Sequence, residues 1–332
     1  MVLYHHRYLD VAAVLATMIR RIGAFTQTET QICRMERGQC RQYRATTTCF
    51  LNRFLFDNSE VDASDPSVSK VVLAKDDYRT VHAAKVLGLH NGDTVRAGIV
   101  SSDDHSGLLT DDAVVRWIPE GKVKKAEPLK NGSPPGSLEI GLVDMEPPET
   151  QIKLCVSLIL ALPRPLQLGR VLPMIAQMGV DQLILTEATK VPRDYFGSHL
   201  FRSPEKLREL LVEGLCQAGD VRLPTVRVVR NLRDFLSEDL ETLFPVSDYA
   251  RVIAHPQRAN EQPAKRMRDV AFPSGERRIV IAIGPEGGWD EPDELDRFRS
   301  RDFQQITLGT RVLRSDVAVV SLLSLASEAC IN

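Results

Sequence analysis

The chain has 332 residues, of which 43% are hydrophobic and 26% charged, the composition of an ordinary globular protein with about two domains. Its formal net charge of −2 excludes a globally basic nucleic-acid binder, so any basic surface has to be local. The six cysteines form no C-x-x-C pair and no zinc spacing, so neither disulfides nor a metal ion is expected. The longest apolar run near the N-terminus, Val11 to Ile19, is too short to cross a membrane, which takes about 20 residues.

Residues 1–48 differ in composition from the rest of the chain. They contain seven arginines, no lysine and only three acidic residues. An arginine-rich, acid-poor and amphipathic segment is typical of an organelle transit peptide. A disordered extension and an upstream start that the cell does not use are the alternatives. The expected location is therefore cytoplasmic or organellar, with the mitochondrion as one candidate.

Residues 49–148 read as several short strands and one short helix. The expected strands are "FLNRFLF" (residues 50–56), "KVVLA", Thr94 to Val100, "GLLTDDAVVRWI" and "SLEIGLVDM", and the expected helix is His82 to Leu89. This pattern favours a small β-barrel. The stretch "LKNGSPPGS" (129–137) is either a hairpin loop of that barrel or a linker, and "DMEPPETQ" (144–151) is the better domain boundary.

Residues 149–332 alternate between apolar strands and amphipathic helices, which implies a mostly parallel sheet covered on both faces. The helix "QLGRVLPMIAQMGV" is expected to continue through Pro173 and to stop at Gly179. In the helix of "SPEKLRELLVEGLCQAG", Ser203 is the expected N-cap and Pro204 the first helical residue.

Three loops at strand ends in the last eighty residues predict a ligand site. They are "AHPQ" (254–257), "IGPEGG" (283–288) and "LGTRVLRSD" (308–316). Ligands of open α/β sheets bind beyond the carboxyl ends of the strands, and glycines let bare backbone approach a flat ligand such as adenine. The chain lacks the glycine fingerprint of nicotinamide-type sites, the P-loop and the G-x-S-x-G nucleophile elbow.

The sequence "IGPEGGW" followed by "LGTRVLRSDVA" closely resembles the ribosomal RNA small-subunit methyltransferase E family, which are uracil-N3 methyltransferases of the SPOUT superfamily. The similarity runs from about residue 50 to the C-terminus and includes "VHAAKVLGLHNGDTVRAG" and "LALPRPLQLGRVLPMIAQMGVDQLIL". The resemblance implies an α/β fold: a PUA-like β-barrel RNA-binding domain (49–148), then a C-terminal SPOUT α/β domain (149–332) with a deep trefoil knot. The knotted segment would span about residues 279–325.

The same resemblance implies S-adenosyl-L-methionine as the cofactor and small-subunit ribosomal RNA, methylated at N3 of a uridine, as the substrate. It also implies a homodimer. Carried over by motif, the cofactor-binding residues would be His255, Pro256, Gly284, Glu286, Gly287, Gly288, Leu308, Gly309, Val312 and Leu313.

The chain departs from the family pattern at several positions. Thr310 stands where proline is usual, and Ser315-Asp316 stands where Thr-Glu is usual. "LALPRP" replaces a lysine-bearing segment, and Gly88 stands where arginine is common on the barrel side. The changes in the third loop are chemically conservative, whereas Gly88 removes one expected RNA contact.

Arg314 and Asp316 are the candidate catalytic residues. The uracil N3 carries a weakly acidic hydrogen, so a cation such as Arg314 could stabilise the negative charge that develops on the base. Asp316 could orient Arg314 or accept the proton. The structural alternative is that Ser315 caps the last helix, Asp316 favours its dipole and Arg314 makes a salt bridge.

Other singled-out residues also have a structural alternative. Glu286 either touches the ligand or holds its loop by accepting backbone N–H groups, and His255 either contacts the cofactor or belongs to a plain turn. Glu213 and Gln217 share a helix face that lines an RNA surface or is simply solvated. Trp289 caps the pocket or packs in the core.

Three functions fit the sequence. The favoured one is a methyltransferase that acts on a uracil base of ribosomal RNA. The second is a knotted methyltransferase with another target, such as a transfer RNA base or a ribose hydroxyl, since the fold alone does not define the substrate. The third is a non-catalytic RNA-binding or ribosome-assembly protein, against which the intact glycine loops and Arg314 argue.

Overall fold

The structure, a computed structural model, describes residues 53–62, 69–100, 107–121, 128, 132–148, 154–256 and 264–331. The predicted N-terminal extension, 1–48, with its transit-peptide interpretation, lies outside these residues. The described residues hold one small sheet followed by one larger sheet, both within the unit Thr48–Asn332. No helix among these residues has the length and apolar character that a membrane crossing requires.

The strands are β1 Phe54–Asp57, β2 Ser69–Leu73, β3 Thr94–Val100, β4 Leu108–Pro119, β5 Gly136–Leu142, β6 Val156–Ala161, β7 Val180–Thr186, β8 Thr225–Val229, β9 Tyr249–Ala254, β10 Arg278–Ile283 and β11 Gln304–Ile306. The α-helices are α1 Tyr78–His82, α2 Pro165–Gln177, α3 His199–Arg202, α4 Pro204–Ala218, α5 Leu232–Asp234, α6 Leu240–Leu243, α7 Asp293–Arg299 and α8 Ser315–Ile331. Short 3₁₀ turns lie at Asn58–Glu60, Arg193–Gly197 and Met267–Asp269, and π-helical turns at Ala83–Leu87 and Phe235–Asp239.

The small sheet has the strand order β1-β3-β4-β5-β2. Its pairings are antiparallel except for β1 with β3. Asp62, just after β1, exchanges two backbone hydrogen bonds with Lys70 of β2, at 2.8 and 3.2 Å. This contact joins the segment after β1 to β2, the strand at the opposite edge of the sheet. β4 pairs directly with β5, and Gly136 and Ser137, the last residues of the stretch 129–137, already belong to β5, which favours the hairpin alternative over a linker. Residues 129–131 of that stretch lie outside the described residues.

The larger sheet has the order β11-β9-β10-β6-β7-β8, and all its pairings are parallel. β6 and β10 lie in its centre and are buried on both faces, which explains their continuous apolar sequences. The α/β class expected from the alternation of strands and helices is therefore confirmed. The carboxyl ends of β9, β10 and β11 lie side by side because these three strands are neighbours.

Residues near β1 join the small sheet to the larger one. Phe54 and Phe56 belong to the core of the small sheet, whereas Leu55 points the other way and joins the core of the larger sheet. The buried guanidinium of Arg53 donates to the carbonyl of Ala97 at 2.8 Å and to that of Gly219 at 3.1 Å. Leu55 of the small sheet thus packs in the core of the larger sheet, and Arg53 adds hydrogen bonds between the two regions.

Some local expectations need correction. The first helix begins at Tyr78, earlier than His82, because Asp77 accepts a hydrogen bond from the backbone N–H of Arg79 and so caps it. Ser203 occupies the N-cap position as expected, but its hydroxyl bonds the Glu205 carboxylate instead of a backbone N–H. Helix α2 continues through Pro173 as predicted.

Candidate functional site

The three loops predicted as ligand contacts meet at the carboxyl ends of β9, β10 and β11 and enclose a pocket of about 140 Å³. All but one of the predicted cofactor residues line this pocket: His255, Pro256, Gly284, Glu286, Gly288, Leu308, Gly309, Val312 and Leu313. The exception is Gly287, which faces the side chain of Lys190; a Cβ at this position would lie 3.2 Å from the Lys190 Cδ.

The second loop, 284–288, needs glycine for steric reasons. A Cβ on Gly284 would lie 3.0 Å from the backbone nitrogen of Trp289, so a side chain there would require the loop to shift by a few tenths of an ångström. Gly288 has a φ of +69°, in the left-handed region that favours glycine. Trp289 is buried and packs against Phe298 with ring centroids 4.8 Å apart, so the packing interpretation holds and Trp289 is not on the pocket wall.

Hydrogen bonds to residues elsewhere in the chain also hold the second loop in place. The Glu286 carboxylate accepts the backbone N–H of Arg164 at 3.3 Å, in the segment after β6, while Glu286 also lines the pocket. The Lys190 ammonium donates to the carbonyl oxygens of Gly287 and Trp289, at 3.3 and 3.1 Å. Glu286 therefore holds the loop, as one alternative predicted, from a position where it can also reach a ligand.

Two buried polar atoms on the pocket wall make no hydrogen bond to any residue that the structure describes: His255 Nδ1 and Ser315 Oγ. The other ring nitrogen of His255, Nε2, lies 2.6 Å from the Glu291 carboxylate. In the structural alternative for this segment, the cap at Ser315 is wrong, because Ser315 is the first residue of α8 and its hydroxyl binds no backbone N–H of that helix. Its other two parts, Asp316 in the first turn and a salt bridge of Arg314, are present. Both His255 and Ser315 line the pocket, and a bound ligand could supply the partner that His255 Nδ1 and Ser315 Oγ each lack among the described residues.

Arg314 and Asp316 form a two-point ion pair. Arg314 Nε donates to Asp316 Oδ1 at 2.7 Å, and a terminal nitrogen of the same guanidinium donates to Oδ2. This hydrogen bonding lowers the pKa of Asp316 to about 2 and raises the pKa of Arg314 above its usual value. The pair brackets Ser315 in sequence and lies beside the pocket lining.

The charge state of Asp316 decides between its two suggested roles. A carboxylate with a pKa of about 2 is a weak proton acceptor at neutral pH, since proton transfer is efficient when the pKa lies near the working pH. The ion pair therefore favours the orienting role over the role of proton acceptor. The side chain of Arg314 is largely exposed, so its outer face is open to a substrate.

Glu213 and Gln217 lie elsewhere, in a cavity of about 720 Å³ between α4 and the region of β1 and α1. Both acidic and basic residues line this cavity, among them Glu209 and Arg208. The cavity is therefore not the uniformly basic surface that RNA phosphates would favour. Within the described part of the chain, no cluster of histidine, cysteine or acidic residues is placed to hold a metal ion.

Known proteins are similar to this chain in sequence and in fold. Residues 150–327, more than half of the chain, match the RNA methyltransferase domain family. The chain belongs to this family. The match includes all three loops of the pocket and the pair Arg314–Asp316.

Two curated relatives of this RNA methyltransferase domain are named ribosomal RNA small subunit methyltransferase E. The protein from Treponema pallidum is 30% identical over 162 residues, which are 48% of this chain and 57% of the relative. The protein from Mesomycoplasma hyopneumoniae is 26% identical over 148 residues, 45% of this chain and 58% of the relative. The matched parts thus span less than two thirds of these relatives. The resemblance predicted from the glycine loops is confirmed.

A solved structure resembles the fold over most of the chain. Ribosomal RNA small subunit methyltransferase E from Neisseria gonorrhoeae, bound to S-adenosyl methionine, is 20% identical and superimposes with a TM-score of 0.56. The match covers 82% of this chain and 95% of that one. At 20% identity this comparison shows a shared fold and no more.

Sequence reasoning missed three residues of the site region. Arg311 lines the pocket, Glu291 bonds His255, and Lys190 fastens the second loop. Arg311 stands inside the quoted third-loop motif and could have been named from it. Glu291 and Lys190 act through contacts 36 and 97 residues apart in sequence, for which no local signal exists.

Proposed function

We propose that this RNA methyltransferase domain transfers a methyl group from S-adenosyl-L-methionine to N3 of a uridine in small-subunit ribosomal RNA. The observation that carries the proposal is the meeting of the 254–256, 284–288 and 308–313 loops around one pocket. The residues that line this pocket combine bare backbone, exposed apolar side chains and two buried polar atoms. A pocket that binds a nucleoside needs apolar surface for the base and a few polar groups for its hydrogen bonds.

The residues present fit this cofactor. The glycine loops offer backbone to an adenine edge, and the apolar side chains of Leu308, Val312 and Leu313 remain partly or largely exposed, Val312 by 87%. The pocket volume of about 140 Å³ is below the roughly 300 Å³ from which ligand pockets begin, so part of the ligand would lie along the third loop, outside the enclosed space. When bound, the cofactor supplies an electrophilic methyl group on a sulfonium.

The chain's own residues supply charge and orientation. In this proposal the uracil becomes negatively charged as N3 loses its proton, and the exposed guanidinium of Arg314 stabilises that charge. Asp316 fixes the direction of Arg314 through two hydrogen bonds. Positioning of the base against the methyl group supplies much of the rate in an in-line displacement.

The remaining parts of the proposal concern architecture. The domain boundaries are proposed at 49–148 for a PUA-like RNA-binding barrel and at 149–332 for a SPOUT domain. A deep trefoil knot is supported by the strand order, because β10 enters between β6 and β9, both of which precede it in the chain. A homodimer is supported by exposed apolar residues on the contacting helices α2 and α8, among them Leu166 and Val317. A cytoplasmic or organellar location stays a prediction.

The test is nucleoside analysis of small-subunit ribosomal RNA from cells with and without the gene. The proposal predicts that N3-methyluridine disappears from that RNA in the deletion strain and returns when the gene is restored. A complementing copy that carries Arg314→Ala is the matched control, since it should fold and fail to restore the mark. An unchanged N3-methyluridine level would reject the uridine assignment, and loss of a different methylated nucleoside would identify another target.

A further inference from the structure

His255 has two ring nitrogens in different environments. Its side chain is about 6% exposed, and its Nε2 lies 2.6 Å from the carboxylate of Glu291, whose side chain is also largely buried. Its Nδ1 is buried and no described residue bonds it, while His255 as a residue lines the pocket. A buried polar atom is normally hydrogen-bonded, so Nδ1 calls for a partner other than the described residues, and a ligand in the pocket can supply one.

The carboxylate determines which nitrogen carries the proton. An ionised carboxylate only accepts hydrogen bonds, so Nε2 must donate to Glu291. In the neutral imidazole, a proton on Nε2 leaves Nδ1 with a lone pair. With a neutral ring the pair carries a hydrogen-bond acceptor at Nδ1, which selects a ligand group with an N–H or O–H; a doubly protonated ring would carry a donor there instead.

The neighbourhood of the ring favours the nucleoside part of a ligand. A Cβ built on Gly288 would come within 4.0 Å of His255 Cε1, the carbon between the two ring nitrogens. The ring edge thus lies beside the bare backbone of the second loop, which is the surface that suits a flat base or its ribose. Adenine and ribose both carry donors, the exocyclic amine and the hydroxyls.

We propose that Glu291 is a positioning residue of this site. It holds His255 in the form protonated on Nε2, so that Nδ1 accepts a hydrogen bond from an N–H or O–H of the adenosine part of the bound methyl donor. This inference rests on the proposed function, since it assumes that the pocket binds S-adenosylmethionine. A merely structural pair would anchor Glu291 and the second loop to the end of β9 and would not depend on the ring tautomer.

The substitution Glu291→Gln separates these roles while keeping the size of the side chain. The amide nitrogen can donate to Nε2, which moves the ring proton to Nδ1 and removes the acceptor. We expect the dissociation constant for S-adenosylhomocysteine to rise roughly 10-fold. Mutation of a residue that orients a metal-binding histidine lowers metal affinity by a similar factor. Asp296→Asn also replaces a carboxylate by an amide, at an exposed position of α7. It is the matched control and should leave binding unchanged.

Two further measurements make the test specific. In the His255→Ala background, Glu291→Gln should have no additional effect on affinity, because Glu291 acts through the ring. 5′-Methylthioadenosine, which lacks the amino-acid part, should show the same relative loss as S-adenosylhomocysteine. Nitrogen-15 NMR of the full-length wild type should show an unprotonated Nδ1 whose shift changes when either ligand binds; this readout needs no variant to fold.

The outcomes are distinguishable. If the wild type binds neither ligand, the proposed function and this inference both fail. If the wild type binds but Nδ1 is protonated or its signal ignores the ligand, the inference alone fails. A Glu291→Gln loss that persists without His255 would show a structural role, and a loss confined to S-adenosylhomocysteine would overturn the nucleoside assignment.

Discussion

The guanidinium of Arg314 is held by the carboxylate of Asp316 through two hydrogen bonds, immediately before helix α8 and next to the pocket. The pair fixes a cation whose outer face is exposed. Two parallel hydrogen bonds fix the orientation of the planar guanidinium as well as the position of its charge. A lysine at position 314 would supply the charge but not this orientation.

Arg314→Ala should lower kcat about 100-fold or more, because it removes the cation that stabilises the developing charge on the base. The dissociation constant for S-adenosylmethionine should stay within about 2-fold of the wild type, since Arg314 does not line the pocket. Methyl transfer to small-subunit RNA and calorimetric titration measure the two quantities. Arg268→Ala, an exposed arginine also paired with the neighbouring aspartate, is the control. Equal activity of both variants would exclude Arg314 from the chemistry.

Asp316→Asn should make thermal unfolding less sensitive to acid. The pKa of Asp316 is about 2 in the folded protein, below its ordinary 3.8, so the ionised form stabilises the fold above about pH 4. That contribution is lost as the pH falls from about 4 to 2. The difference in Tm between wild type and Asp316→Asn should therefore be constant from pH 7 to 5 and shrink below pH 4. Arg314→Ala should behave similarly, because Arg314 causes the shift. Parallel curves for wild type and Asp316→Asn down to pH 2.5 would contradict this.

Gly214→Ala should destabilise the protein by about 1–3 kcal/mol or more, the cost of overpacking. Gly214 lies in α4 where it touches α2, and a Cβ there would overlap the carbonyl oxygen of Pro173 and lie 2.8 Å from its carbonyl carbon. Gly169→Ala, a helical glycine of α2 with no atom within 4 Å of its Cβ position, should instead stabilise by about 0.5–1 kcal/mol. Urea unfolding of both variants gives the comparison. Similar stabilities would show that the two helices are not packed this closely.

Ser315→Ala should weaken ligand binding without weakening the fold. Ser315 lines the pocket, and its buried hydroxyl makes no hydrogen bond within the described residues, so its removal breaks none of those bonds. The dissociation constant for S-adenosylhomocysteine should rise about 3- to 10-fold while Tm is unchanged or slightly higher. Ser324→Ala, an exposed serine of the same helix, should change neither. A fall in Tm with unchanged affinity would assign Ser315 a structural role.

Leu166→Glu should convert a dimer into a monomer. Leu166 is 80% exposed on α2, and burial of that face in a homodimer would make a charge there costly. Light scattering coupled to size-exclusion chromatography should give twice the chain mass for the wild type and the single mass for the variant. Val86→Glu, at a 66% exposed position beside α1, should remain dimeric. A monomeric wild type would refute the predicted dimer.

The sequence predicted most of the local structure because the signals are local. Ile279 to Ile283 reads as a buried strand from its apolar run, and the glycines after it indicate a ligand loop. The segment between β8 and β9 gave no such signal, since α5, a π-helical turn and α6 follow one another without a common period.

The rest of the site depends on contacts that join distant parts of the chain. The insertion of β10 between β6 and β9 places the three loops side by side, and no local pattern records this order. The bond from Glu291 to His255 and those from Lys190 to the second loop exist only after that insertion. Residue types also could not predict that the Ser315 hydroxyl makes no capping bond, because a serine at the start of a helix normally predicts a cap.

The most direct test of the central claim is a crystal structure of the protein grown with S-adenosylhomocysteine. We expect the adenosine to lie between the 254–256, 284–288 and 308–313 loops, with His255 Nδ1 and Ser315 Oγ within hydrogen-bonding distance of the ligand. Ligand density at any other place, or a pocket closed by the protein's own side chains under saturating ligand, would contradict the account.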